Sequence, residues 1–193
     1  MKLGMIGCGA IGSDVAKAAD NMDEIEKIYL YDIDREASEK LRDKIKKAEI
    51  KSVKDFLDDV DVVFEAASQE AVNEYAEIIL NSKKDIIIMS IGSLFDDDFK
   101  NKLKRIAKEN NCKIYLPSGA VCGIDGVLSA SMEEIDEVTL VTTKSPKALG
   151  KKFDKRTVVF EGSAREAVRE FTKKINVAAN LSITGIGFDK KKV

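Results

Sequence analysis

The chain has 193 residues, of which 44% are hydrophobic and 34% charged, and its formal net charge is −2 at pH 7. This length allows one large domain or one domain with a smaller companion, and the near balance of charge excludes an electrostatic basis for nucleic-acid binding. The apolar runs are short and no signal peptide is visible, so the sequence predicts a cytoplasmic protein with no membrane partner.

Histidine is absent, and the three cysteines are scattered along the chain. The commonest metal ligand and the commonest general base near neutral pH are therefore missing. Cys8, Cys112 and Cys122 lack the spacing of a zinc site, so we expect neither a bound metal nor a disulfide framework. We expect Cys122 to be a small buried side chain, with a reactive thiol as the alternative.

The first part of the chain alternates short apolar strands with amphipathic helices. Strands are predicted over residues 1–6, 28–31, 60–67, 85–91 and 113–116. Helices are predicted over residues 11–19, 36–47, 53–57, 70–80 and 97–110. This alternation predicts an α/β fold of Rossmann type, with a doubly wound parallel sheet.

The pattern changes after Pro117. Strands are predicted over residues 137–143 and 157–160, and helices over 164–171 and 175–183. We therefore expect a dinucleotide-binding domain at residues 1–118 and a smaller α+β domain at 119–193, for substrate binding and dimerisation. Two strands make a marginal sheet, so this second domain looks incomplete. It is expected to form a homodimer or to lack elements that would follow.

The segment Gly7-Cys8-Gly9-Ala10-Ile11-Gly12 fits the G-x-G-x-x-G pattern and joins a predicted strand to a predicted helix. Gly7 permits the tight turn, Gly9 lets a pyrophosphate approach the backbone, and Gly12 lets the helix pack closely on the strand. A glycine-rich structural turn is the alternative, but the strand–helix setting favours a dinucleotide site.

The residues around this motif complete the prediction. Ala10 and Ile11 open the helix, whose N-terminal N–H groups would bind the phosphates. Asp32 ends the second strand about 20 residues beyond the motif, where a carboxylate accepts hydrogen bonds from ribose hydroxyls. Asp32 favours NAD because it repels a 2′-phosphate. Arg35 would pair with that phosphate if the loop turned, but we expect a solvated side chain there, so NADP stays open.

Small residues follow two further predicted strands, in Glu65-Ala66-Ala67-Ser68 and Ser90-Ile91-Gly92-Ser93. Small residues at the carboxyl end of a strand line the cofactor crevice of an open α/β sheet. Each segment alone would also suit a turn with an N-cap serine. Their occurrence in successive strands predicts cofactor contacts at Ala66, Ala67 and Ser68.

Several motifs, taken in order, resemble the L-aspartate dehydrogenase family. They are Glu65-Ala66-Ala67-Ser68, Pro117-Ser118-Gly119-Ala120, Thr143-Lys144-Ser145-Pro146, Val159-Phe160-Glu161-Gly162 and Lys174-Ile175-Asn176-Val177-Ala178-Ala179. The resemblance implies an NAD- or NADP-dependent enzyme that oxidises L-aspartate to iminoaspartate, which feeds NAD biosynthesis or hydrolyses to oxaloacetate and ammonia. It also implies cofactor contacts at Ala120 and Asn176. Without it, these would be a tightly packed residue and a helix N-cap.

The catalytic histidine of the family lies in a segment that this sequence does not match, so the proton-transfer group is unknown. Asp125, Lys144 and Lys174 are the candidates, although solvation is the expected role of any one of them and a lysine would more naturally hold a substrate carboxylate. We expect a shortened chain that binds cofactor and oxidises aspartate poorly. The alternatives are a related reductase of a small imino or dicarboxylic acid, and a non-catalytic dinucleotide-binding protein.

Overall fold

A computed structural model describes residues 1–150, 152–171, 176–184 and 191–192. The chain divides into two compact units, Met1–Pro117 and Ser118–Val193. The division lies one residue before the boundary expected from the sequence.

The first unit is built on a six-stranded parallel sheet in the order β3-β2-β1-β4-β5-β6. The strands are β1 (Lys2–Ile6), β2 (Lys27–Tyr31), β3 (Ala48–Ile50), β4 (Val62–Glu65), β5 (Asp85–Ile88) and β6 (Ile114–Tyr115). The strand order reverses between β1 and β4, which is the topological switch point where open α/β sheets bind ligands. The predicted Rossmann-type fold is confirmed.

Five helices and one 3-10 helix connect these strands. They are α1 (Ala10–Asp20), α2 (Arg35–Arg42), α3 (Val53–Leu57), α4 (Gln69–Asn81), the 3-10 helix (Ile91–Phe95) and α5 (Asp97–Glu109). Side chains of Ser52, Ser68 and Asp96 accept hydrogen bonds from backbone N–H groups in the first turns of α3, α4 and α5. These caps satisfy donors that the helices cannot satisfy internally, and so set where each helix begins.

One predicted boundary in this unit was wrong, and one strand was not predicted. Helix α2 ends at Arg42 rather than residue 47, and the segment Ala48–Ile50 forms the edge strand β3. A strand of three residues is too short to show an alternating pattern, and β3 exists because its backbone pairs with β2.

The central strands are buried on both faces, as expected when helices cover both sides of a parallel sheet. Met5, Ile28, Val63 and Ile86 are fully buried. Gly4 of β1 makes room for α3: a β-carbon there would lie 2.7 Å from the Phe56 ring. This packing holds the carboxyl ends of β1, β2 and β4 in fixed register.

The second unit contains α6 (Ile124–Ala130), β7 (Val138–Thr139), α7 (Pro146–Leu149), α8 (Ala164–Glu170), α9 (Asn176–Thr184) and β8 (Lys191–Lys192). Helix α8 begins with a capping box, in which Ser163 and Glu166 each bond the other's backbone N–H. Along the described ranges of the chain, no helix is long and apolar enough to cross a membrane.

The strand predicted over residues 157–160 was wrong, because this segment forms no strand in the structure. The pairing partner of β7 is instead the two-residue strand β8, which runs parallel to it. Val158 is 78% exposed, so this apolar residue does not occupy a buried position in a strand.

Candidate functional site

The glycine turn after β1 requires glycine at its first position. Gly7 has φ of 101°, in the left-handed region, and its N–H donates a 2.8 Å hydrogen bond to the Tyr31 carbonyl. A β-carbon on Gly7 would lie 2.7 Å from the backbone of Ala66 and Ala67. Both the backbone conformation and the contact with the β4–α4 turn therefore exclude a side chain.

The other two glycines of the motif differ sharply in their surroundings. A β-carbon on Gly12 would lie 2.0 Å from the carbonyl oxygen of Gly7, so Gly12 allows α1 to pack on the turn. A β-carbon on Gly9 would meet nothing within 4 Å. Nothing in the fold itself therefore requires glycine at position 9, and the open space beside it suits a ligand that approaches the backbone.

Helix α1 begins at this open space. Gly9 is its N-cap residue and supplies no side-chain hydrogen bond to the first turn. Ala10 and Ile11 are both exposed. The first turn thus presents backbone N–H groups and the positive end of the helix dipole to solvent, an arrangement that binds phosphate groups.

Asp32 lies directly beside the glycine turn. One of its carboxylate oxygens accepts a 2.6 Å hydrogen bond from the Cys8 N–H, and the other accepts a 2.9 Å bond from the Asp34 N–H. Each oxygen keeps further acceptor capacity, since a carboxylate offers about four lone-pair sites. The side chain is therefore fixed in place and able to accept from a pair of hydroxyl groups.

Two neighbours of Asp32 bear on what binds there. Ile33 is 96% exposed, an apolar side chain at the carboxyl end of β2 that the sequence reasoning did not single out. Arg35 forms a 3.0 Å ion pair with Glu39 one helical turn away, and its side chain is 84% exposed. Arg35 is therefore a solvated helix residue in this structure, as the sequence favoured.

A buried carboxylate lies at the end of β4. Glu65 is only 1% exposed and accepts hydrogen bonds from the Ala67 N–H at 2.8 Å, the Ser90 N–H at 3.0 Å and the Ser90 hydroxyl at 2.8 Å. Burial raises the pKa of the Glu65 carboxyl, and the hydrogen bonds from Ser90 and from the backbone at Ala67 and Ser68 oppose that rise. The sequence predicts a strand-end motif that includes Glu65 but no role for its side chain, although an acidic residue at the end of an apolar strand was the signal.

The β4–α4 turn carries the other predicted contacts of this unit. Ala66 and Ser68 are half-buried and Ala67 is exposed, and the Ser68 hydroxyl accepts from the Ala71 N–H as the N-cap of α4. The structure thus brings together the glycine turn, Asp32 and the turn at residues 66–68 along one edge of the sheet.

The predicted site residues of the second unit lie in loops and helix starts. Ala120 is exposed, and Asn176 is the exposed first residue of α9. Asp125 is exposed in the first turn of α6, and Lys144 is exposed before α7. Lys174 lies outside the described residues. Cys122 is exposed, so the prediction that it is buried was wrong.

The second unit also contains a wide cavity of about 1090 Å³. Its lining is mostly apolar and includes three cationic side chains, those of Lys144, Lys155 and Arg156, and three acidic ones, those of Glu137, Asp154 and Glu161. In the part of the chain that the structure describes, no group of three or more acidic or cysteine side chains is placed to hold a metal ion.

Comparison with known proteins identifies both units. Residues 7–117 match the family model of the homoserine dehydrogenase NAD-binding domain, and residues 125–193 match that of the aspartate dehydrogenase C-terminal region. L-aspartate dehydrogenase from Methanosarcina barkeri is 41% identical over 208 aligned residues, which cover 100% of this chain and 77% of the relative. The chain belongs to the L-aspartate dehydrogenase family. The resemblance drawn from the motifs is therefore confirmed.

Other members of the L-aspartate dehydrogenase family are similarly close to this chain in sequence or structure. The enzyme from Methanothermobacter thermautotrophicus is 40% identical over 95% of this chain and 72% of its own length. The crystal structure of aspartate dehydrogenase from Thermotoga maritima superposes with a TM-score of 0.79 at 33% identity, covering 100% of this chain and 77% of that one. The glycine turn and Asp32 thus belong to an NAD-binding domain, as predicted.

Proposed function

We propose that the protein is an L-aspartate dehydrogenase that oxidises L-aspartate to iminoaspartate with NAD, and that it also accepts NADP more weakly. The observation that carries the cofactor assignment is the open space beside Gly9, flanked by the uncapped start of α1 and by the fixed carboxylate of Asp32. The substrate assignment rests on membership of the family.

The residues of the first unit fit the cofactor. The N–H groups at Ala10 and Ile11 would bind the pyrophosphate, and Asp32 would accept from the adenosine ribose hydroxyls. The turn at Ala66, Ala67 and Ser68 would contact the nicotinamide half. Ala120 and Asn176 are proposed as further contacts because the family motifs around them match.

When bound, NAD would supply the acceptor for the hydride that leaves the α-carbon of aspartate. The amine must also lose a proton for the imine to form. The sequence contains no histidine, so we assign proton transfer to Asp125, Lys144 or Lys174, or to water held by them. Lys144 also lines the cavity of the second unit, where its ammonium would hold a substrate carboxylate.

A turnover assay tests this proposal. NADH formation should be saturable with L-aspartate, and D-aspartate and L-glutamate should give little or none. Turnover of a different amino or imino acid in preference to aspartate would point to a related reductase. Saturable NADH binding without turnover of any amino acid would point to a non-catalytic dinucleotide-binding protein.

We further propose that the protein is a homodimer and is cytoplasmic. Three apolar side chains of the second unit are strongly exposed, Met132 at 85%, Val141 at 77% and Val158 at 78%, and a partner subunit would cover them. The three cysteines are unpaired, which suits a reducing compartment. Light scattering that gives a monomer at every working concentration would refute the dimer.

A further inference from the structure

The buried carboxylate of Glu65 has no part in the function described so far, although it lies at the switch point of the sheet. Its side chain reaches both neighbouring elements, since Oε1 accepts from Ala67 N–H and Ser90 Oγ–H, and Oε2 accepts from Ser90 N–H. Its own carbonyl accepts from the Met89 N–H at 3.0 Å. Glu65 thus joins the turn after β4 to the turn after β5.

The turn that Glu65 holds is in direct contact with the glycine turn. A β-carbon on Gly7 would lie 2.7 Å from the carbonyl group of Ala66 and from the nitrogen of Ala67. A shift of Ala67 would therefore displace Gly7 and change the shape of the open space beside Gly9.

The chemistry at this position specifies a carboxylate. The partners of the Glu65 side chain are all donors: the Ser90 hydroxyl and the backbone N–H groups of Ala67, Ser68 and Ser90. A backbone N–H cannot reverse its direction. An ionised carboxylate accepts from all of them, whereas an amide would point its NH2 group at a donor and leave a buried group unpaired. The donors thus offset part of the cost of burying the charge, although burial still raises the pKa of the Glu65 carboxyl.

The two halves of a Rossmann sheet bind the two halves of a dinucleotide. The glycine motif and Asp32 belong to β1 and β2, which serve the adenosine and pyrophosphate. Glu65 and Ser90 end β4 and β5, in the other half. We infer that Glu65 is a positioning residue that fixes the turn at residues 66–68 against the nicotinamide half of the cofactor. This inference rests on the proposed NAD binding.

The test compares two ligands that differ only in the nicotinamide ring. NADH and ADP-ribose are titrated against the wild type and Glu65→Gln at a temperature where both are folded. The variant should bind NADH about tenfold more weakly, because the turn at residues 66–68 is no longer held in position, and should bind ADP-ribose as the wild type does. Its KM for NAD should rise more than its kcat falls.

Three further variants make the result decisive. Ser90→Ala removes one donor and should lower the affinity for NADH by a smaller factor. The inference therefore stays testable if Glu65→Gln does not fold. Val63→Ala shortens a fully buried side chain of the same strand and should lower the Tm without changing the ratio of NADH to ADP-ribose affinity. Asp32→Ala should lower the affinity for both NADH and ADP-ribose.

An unchanged ratio of NADH to ADP-ribose affinity in both Glu65→Gln and Ser90→Ala would overturn the inference. A wild type that binds neither ligand would instead refute the proposed function, so the two failures are distinguishable.

Discussion

The Asp32 carboxylate accepts a 2.6 Å hydrogen bond from the backbone N–H of Cys8, inside the glycine turn itself. The residue that would recognise the ribose therefore also stabilises the turn that would bind the phosphates. Because the Asp34 N–H holds the second oxygen, the carboxylate is oriented before a ligand arrives. Preorganisation of this kind lowers the entropic cost of binding.

Asp32→Ala should lower the affinity for NADH about tenfold, equivalent to about 1.4 kcal/mol, and should lower the affinity for NADPH by less. The carboxylate accepts from the two ribose hydroxyls of NADH but repels the 2′-phosphate of NADPH, so its loss removes a favourable contact from NADH and a repulsion from NADPH. Fluorescence titration with each cofactor measures both affinities. Arg35→Ala is the control and should leave both nearly unchanged, because Arg35 pairs with Glu39. Equal weakening of NADH and NADPH by Asp32→Ala would contradict the assignment.

Gly9→Ala and Gly12→Ala should separate ligand binding from folding. A methyl group on Gly9 meets nothing within 4 Å, so Gly9→Ala should keep the Tm of the wild type and lose about tenfold or more in NADH affinity. A methyl group on Gly12 would lie 2.0 Å from the Gly7 oxygen, and overpacking of this kind costs about 1–3 kcal/mol. Gly12→Ala should therefore lower the Tm as well.

Calorimetry and NADH titration of the two glycine variants give both quantities. Gly126→Ala is a matched control, because a β-carbon on this helical glycine also meets nothing within 4 Å. It should bind NADH normally. Full NADH affinity in Gly9→Ala would show that no ligand approaches the backbone there.

The thiols of Cys122 and Cys8 should react in the order of their exposure. Cys122 is exposed and should alkylate at about pH 8 in the native protein. Burial raises the pKa of Cys8 from 9.0 to about 11, so Cys8 should react only after unfolding. Mass spectrometry of peptides after timed iodoacetamide treatment would show this order. Native alkylation of Cys8 as fast as that of Cys122 would contradict its burial.

The same pKa shift predicts a loss of stability in alkali. The folded protein holds the Cys8 proton more tightly than the unfolded chain does, because the pKa is 9.0 unfolded and about 11 folded. This contribution to stability is complete below pH 9 and is lost as the pH rises through about 11. The Tm of the wild type should therefore fall more steeply over this range than the Tm of Cys8→Ala. Parallel curves would show that Cys8 does not titrate as described.

The 193-residue chain should oxidise L-aspartate at less than about 1 per second. Without histidine it has no side chain whose ordinary pKa lies near 7, and general base catalysis contributes about 10²- to 10⁴-fold. NADH production at alkaline pH measures the rate. A faster turnover would mean that Asp125, Lys144 or Lys174 accepts the proton, or that a partner subunit completes the site. Alanine substitutions at these three positions would decide between these explanations.

The sequence by itself determined the nucleotide-binding half of the protein. Gly7, Gly9, Gly12 and Asp32 lie within one strand–helix–strand unit, where local periodicity and fixed spacing specify the geometry. The structure adds that the fold requires glycine at positions 7 and 12, whereas a β-carbon at position 9 would meet nothing within 4 Å.

Only the tertiary structure decided the features that depend on residues distant in the chain. Glu65 meets Ser90 across 25 residues because β4 and β5 are neighbours in the sheet, and no local pattern shows that pairing. Strand β7 likewise pairs with Lys191–Lys192 rather than with residues 157–160. Side-chain alternation reports which face of a segment is apolar, but strand pairing and burial are set by the neighbours that the fold brings together. For the same reason the exposure of Cys122 was not visible in the sequence.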